Sequence, residues 1–99
     1  MAVLVVLPAA LREYARGASE VKASGRTLAA LLADLDAKFP GLRQRILEDT
    51  GVVRQYVNVF VNGDQVQTED PSRVRVGDGD TVHILPSIAG GAFGGDSEG

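Results

Sequence analysis

Cysteine is missing from all 99 residues. Its absence excludes a disulfide framework, a thiolate metal site and a cysteine nucleophile. Histidine occurs once, at His83, which excludes a histidine pair; it reads as a sheet-surface residue, and nothing in its spacing marks a Ser-His-Asp set. Basic charge is scarce and scattered. Ten Lys and Arg stand against 13 Asp and Glu, for a formal charge of −3, and the arginines are spread from Arg12 to Arg75. A nucleic-acid binder needs clustered cations to displace phosphate counterions, so nucleic acid is not an expected partner. No apolar run approaches the roughly 20 residues that span a bilayer, so no membrane association is expected. The start, Met1 to Leu7, lacks a basic segment and is too short for a signal peptide, which reads as a cytoplasmic protein. With only five aromatics in a 44% hydrophobic chain, the core should be aliphatic.

What is present is well patterned. Val3–Leu7 is a continuous apolar run suited to a central strand, ended by Pro8. Glu20-Val21-Lys22-Ala23 alternates as a half-buried strand does, with Gly17 marking the turn before it. Thr27 is placed to cap a helix on which Leu28, Leu31, Leu32, Leu35 and Phe39 form one apolar stripe, stopped by Pro40-Gly41. Leu42, Ile46 and Leu47 suggest a further short helical turn. Tyr56 to Val61 alternates cleanly, Asn62-Gly63 signals a type I′ hairpin, and Gln65-Val66-Gln67 returns as a short strand. Gly77-Asp78-Gly79-Asp80 turns into a last strand, Thr81–Leu85, ended by Pro86. The fold class is therefore α+β, a mixed sheet of four to five strands packed on one main helix.

From Ser87 the composition shifts to glycine, alanine, serine and acids, and five of the last ten residues are glycine. A domain over residues 1–87 followed by a flexible tail over 88–99 is expected.

The ordered strands, the Leu-striped helix, Val57-Asn58-Val59-Phe60-Val61-Asn62-Gly63 and the ending Ile84-Leu85-Pro86-Ser87-Ile88-Ala89-Gly90-Gly91 together resemble the ubiquitin-like β-grasp sulfur carriers of the MoaD/ThiS family. The ending is most similar to that of the CysO-type carriers. The resemblance implies that an E1-like enzyme uses ATP to adenylate a terminal glycine carboxylate. Sulfur then replaces AMP to give a thiocarboxylate, and a sulfur-accepting biosynthetic enzyme draws on it. Such a carrier is a covalent substrate with no catalytic residue, bound cofactor or metal of its own, and a monomer when alone. In this chain Gly91 is the attachment residue by that resemblance, and Ile88, Ala89 and Gly90 are the segment the enzymes recognise; Ile88 to Gly91 give a reach of about 13 Å at ~3.3 Å per residue. Eight residues follow Gly91, and an internal amide cannot be adenylated. The resemblance implies removal of 92–99 by a JAMM-type zinc protease, with cleavage between Gly91 and Ala92. Gly95 after trimming and Gly99 as encoded are the other ends that could serve. A lysine-conjugated protein modifier and a small subunit of molybdopterin synthase are alternative uses of the same end.

Strand alternation also locates a surface. If Val57, Val59 and Val61 face the helix, then Leu4, Val6, Phe60 and Leu85 lie outward as an apolar patch leading to the tail, a candidate partner surface, with His83 on the same face. Several charged clusters read as ordinary structure. Gly77–Asp80 lacks the ligands of a calcium or phosphate loop and reads as a turn. Asp34 and Asp36 point to different faces of their helix and make no carboxylate pair.

Overall fold

A computed structural model describes residues 2–66 and 69–86. Five strands, β1 (Val3–Val6), β2 (Glu20–Ala23), β3 (Val57–Val61), β4 (Asp64–Gln65) and β5 (Thr81–Pro86), form one mixed sheet in the spatial order β2-β1-β5-β3-β4. β1, Val3–Val6, sits inside the sheet because both sides of its backbone find partners. It pairs antiparallel with β2, Glu20–Ala23, and parallel with β5, Thr81–Pro86. Flanking bonds from Leu4 N–H to Asp80 O (3.0 Å) and from Leu7 N–H to Ser19 O (2.8 Å) extend both ladders. β3, Val57–Val61, pairs antiparallel with the other side of β5.

The expected helix is α1, Leu28–Lys38, with Leu28, Leu31, Leu32 and Leu35 fully buried. Thr27 caps it, its hydroxyl accepting the Ala30 N–H at 3.2 Å. A strap over residues 70–76 satisfies more of the loose helix start: Leu28 N–H donates to Val74 O at 2.8 Å, and Val76 N–H donates to Arg26 O at 3.1 Å. Pro40 follows the helix, and Asp36 then accepts the N–H groups of Gly41 and Arg43, which starts α2, Leu42–Ile46. Leu42, Ile46 and Leu47 are buried, as the short apolar spacing predicts.

Against these leucines the sheet turns Val3, Val5, Leu7, Val21, Ala23, Val59, Val82 and Ile84. The core is aliphatic throughout, and no polar or charged side chain is buried among the described residues. Nor is any helix among them long and apolar enough to cross a membrane.

Four local details differ from expectation. Between β1 and β2 the chain forms a 3-10 helix, Ala9–Ala15, before the left-handed pair Arg16 (φ 58°) and Gly17 (φ 86°) makes the turn. Seven residues at three per turn are too few for a helical period to register in sequence. Tyr56 precedes β3 in a turn instead of starting the strand. Asn62 and Gly63 both take positive φ (52° and 90°), the requirement of a type I′ turn. That two-residue turn sets β4 at Asp64–Gln65, one residue earlier than expected, and Val66 continues the ladder by donating to Val59 O. Gln67 lies outside the described residues. Pro86 closes β5 as its last residue, opposite Val57.

Two contacts tie β2 and its loop to α1, and each yields a test. Gly25 runs so close to the helix that an added Cβ would meet Leu31 N at 2.6 Å and Ala30 C at 2.9 Å. Gly25→Ala should therefore cost about 1–3 kcal/mol in urea unfolding, whereas Gly77→Ala, where the nearest atom is Asp80 Oδ2 at 3.9 Å, should cost far less. Asp34 accepts the Ser24 N–H at 2.8 Å and pairs with Lys38 at 3.2 Å. The Ser24 bond first, and Lys38 second, hold its carboxyl below the ordinary value. A depressed folded value means the stabilisation exists at neutral pH and disappears as pH falls through that value. Thermal melts of the wild type and Asp34→Asn should thus differ most at neutral pH and converge on acidification.

Candidate functional site

The position of β5 determines where the tail begins. β5 is the middle strand of five, held by β1 over Thr81–His83 on one side and by β3 as far as Pro86 on the other. The chain therefore leaves the domain from the centre of the sheet, at the end where β1 also stops and β3 starts. Pro86 has no N–H to give, so the ladder ends there. Ile88, Ala89, Gly90, Gly91 and Ala92 follow, as do Gly95 and Gly99; all lie outside the described residues.

The outward side chains of the three central strands fall in register. Val6, His83 and Phe60 form one row across β1, β5 and β3. Leu4 lies beside Thr81, and Leu85 lies opposite Asn58. Leu4, Val6 and Phe60 are half-buried and Leu85 is 40% exposed, so all four sit on the outer face of the sheet as alternation predicts. The patch is not purely apolar, because His83 stands between Val6 and Phe60. Its borders are polar: Glu20 and Lys22 on β2, and Gln65 on β4, whose amide donates to Asn58 Oδ1 at 3.2 Å.

A second feature opens at the same end. A cleft of about 230 Å³ is lined by Leu11 and Tyr14 of the 3-10 helix, Arg45 of α2, Tyr56 before β3, and Leu85 and Pro86 of β5. The Arg45 guanidinium lies 4.8 Å from the centroid of the Tyr14 ring. Sequence periodicity missed this cleft because its walls come largely from irregular segments that carry no period.

The acidic clusters are committed elsewhere. Asp80 accepts the Gly77 N–H at 2.8 Å and the Asn62 amide at 3.0 Å, while Asp78 accepts the Ala2 N–H at 2.7 Å. These bonds build the turn into β5 at the end of the sheet opposite the tail. Asp34 and Asp36 serve separate partners, as their two-residue spacing predicts. Among the described residues no group of three or more His, Asp or Glu side chains could hold a metal ion. The arrangement offers surfaces and an extending main chain.

Comparison with known proteins adds to this geometry. Residues 5–91 match the model of the ThiS family, so the match ends at Gly91. The sulfur carrier protein CysO of Mycobacterium tuberculosis (strain ATCC 25618 / H37Rv) is 38% identical over 93 residues, covering 92% of this chain and 100% of that protein. The small archaeal modifier protein 3 of Haloferax volcanii is 40% identical over 65 residues, covering 66% of this chain and 70% of its own length. In a solved structure, a chain of the BexX/CysO complex of Amycolatopsis orientalis superposes with a TM-score of 0.80 at 32% identity, covering 90% of this chain and 99% of that one.

The two faces of β3 should separate folding from surface. Val59, fully buried, should lose about 2 kcal/mol on Val59→Ala, by lost transfer plus a cavity. Phe60→Ser, on the outer face, should shift the urea midpoint by distinctly less. Equal losses would mean that the outer row belongs to the core.

Proposed function

The chain belongs to the ThiS family, and we propose that it is a sulfur carrier protein whose working end is Gly91. The observation that carries this reading is the end of the family match at Gly91, with eight residues still to come. The route of the chain supports it. β5 delivers the segment from the centre of a firmly paired sheet, and residues 87–91 have small side chains apart from Ile88. A Gly-Gly end is sterically minimal, so it can enter a narrow catalytic tunnel.

Three steps follow from the chemistry. Water first hydrolyses the Gly91–Ala92 amide in the site of a JAMM-type zinc protease, leaving a carboxylate on Gly91 and a free amine on Ala92. An E1-like enzyme then brings ATP to that carboxylate. A carboxylate oxygen attacks the α-phosphorus and pyrophosphate leaves, which gives the acyl-adenylate. Sulfide attacks the acyl carbon, the C–S bond forms as the C–O bond to AMP breaks, and a thiocarboxylate remains. The carrier performs none of this chemistry itself. Its described residues contribute recognition, and the outer face around Leu4, Val6, Phe60 and Leu85 is the surface through which the activating enzyme and the sulfur-accepting enzyme grip it. Complex formation by a CysO relative is consistent with such a grip.

A second reading has its own support in the likeness to a small archaeal modifier protein. The same adenylate, attacked by a lysine amine in place of sulfide, would give an isopeptide bond.

Incubating the protein ending at Gly91 with an E1-like enzyme, ATP and sulfide should raise its mass by the replacement of one oxygen with one sulfur. The full 99-residue chain should not react without the protease. Val6→Asp should slow the mass gain at least tenfold without changing the melting temperature by more than a few degrees. Absence of any mass change in forms ending at Gly91 or Gly95 would sink the carrier reading, and Gly91 joined to target lysines would favour the modifier.

A further inference from the structure

Two large apolar side chains among the described residues are exposed, Tyr56 (45%) and Leu85 (40%), and both line the cleft at the root of the tail. Its volume of about 230 Å³ is below the roughly 300–1,000 Å³ that takes a drug-sized molecule and suits one large side chain. We infer that this cleft is the seat of Phe93, which holds the extension 92–99 against its own domain before it is trimmed.

The argument rests on the length and composition of the chain beyond Pro86. Pro86 itself lines the cleft, so the segment starts at the cleft wall. Phe93 is the one aromatic residue after it. Six residues separate the two, an extended reach of roughly 20 Å at ~3.3 Å per residue. That is ample for the chain to leave, reverse and return. Gly90-Gly91 lie between the two, and glycine accepts positive φ without steric cost, so the sequence permits such a reversal. Ile88 is the other large apolar side chain in the segment, but only Ser87 lies between it and Pro86, too short for a return. Holding one ring fixes the ends of a short loop without ordering every residue in it, and the cost of loop closure grows slowly with length. The ring's apolar surface, placed against Leu11, Tyr14 and Leu85, supplies the gain.

Charge complementarity points to the same occupant. Arg45 stands at the cleft over the Tyr14 ring. The two ion pairs found among the described residues, Lys38–Asp34 and Arg73–Asp70, do not involve it. Asp96 and Glu98 follow Phe93 by three and five residues and bring carboxylates into its range. Phe93 docks by burial, and the acids after it lie against the guanidinium.

Cleavage between Gly91 and Ala92 would then remove Phe93 and empty the cleft, so that recognition of the cleft distinguishes a trimmed carrier from its precursor. That consequence rests on the carrier reading, while the docking itself does not. The chain has no tryptophan, so Phe93→Trp in the full chain introduces a single reporter. Its emission should be blue-shifted and severalfold less accessible to iodide than in a free peptide of residues 87–99 carrying the same substitution. Adding Leu85→Glu should return both readings to the peptide values. In the full chain, Phe93→Ser should shift the NMR signals of Leu11, Tyr14 and Leu85 while leaving those of Leu31 and Leu32 in place, which reports an intact fold. Emission matching the free peptide would overturn the docking. So would a blue shift that appears only as protein concentration rises, because a second copy would then be the occupant. Neither measurement uses ATP or an activating enzyme, so its failure is distinct from failure of the carrier reading.

Discussion

The parallel pairing of β1 with β5 is the constraint on which the rest of the structure depends. It brings the last strand back beside the first and places it third among five, with hydrogen-bonded neighbours on both sides. A parallel return of this kind needs a long crossover, and here the crossover carries α1, α2 and the β3–β4 hairpin. The two helices cover one face of the sheet, the hairpin widens it past β5, and the other face stays open. β3 holds β5 as far as Pro86, opposite Val57, so the chain leaves the sheet from a fixed point. The tail therefore has a defined origin, five positions before the proposed working residue Gly91.

The period of two along the strands divides the labour between the faces. On β5, Val82 and Ile84 lock the strand to the helix side, while His83 and Leu85 face outward between β1 and β3. Slipping the register by one residue would exchange these sets, exposing the core and burying His83. Core residues and the proposed partner surface thus occupy alternate positions of the same strands, so surface changes can be made with little effect on the core.

The regular elements were legible because period and capping agreed. The Leu28–Leu35 stripe, the Thr27 cap and the Asn62-Gly63 turn each rest on a local rule that the tertiary structure does not override. The limits of β2 at Glu20 and Ala23 were likewise readable from strict alternation. The 3-10 helix after Pro8 was not, since its few turns leave no stripe. β4 was displaced by one residue because hairpin register follows from the turn and not from the β-propensity of the returning segment. The outer patch was readable residue by residue, but the placement of His83 at its centre required the register of three strands at once. The cleft was invisible for a related reason: Leu11, Tyr14, Arg45 and Tyr56 come from four separate stretches that only the folded chain brings together.

Gly91 remains the residue on which the functional account turns. It joins a paired strand that gives the domain its exit, a family match that stops there, and an extension whose acids and single phenylalanine differ in character from the residues before it. The most direct test is the intact mass of the protein isolated from its native cell. The account predicts a chain ending at Gly91, part of it carrying one sulfur in place of one terminal oxygen. A population made up only of the 99-residue chain, with no trimmed form under conditions of sulfur demand, would contradict it.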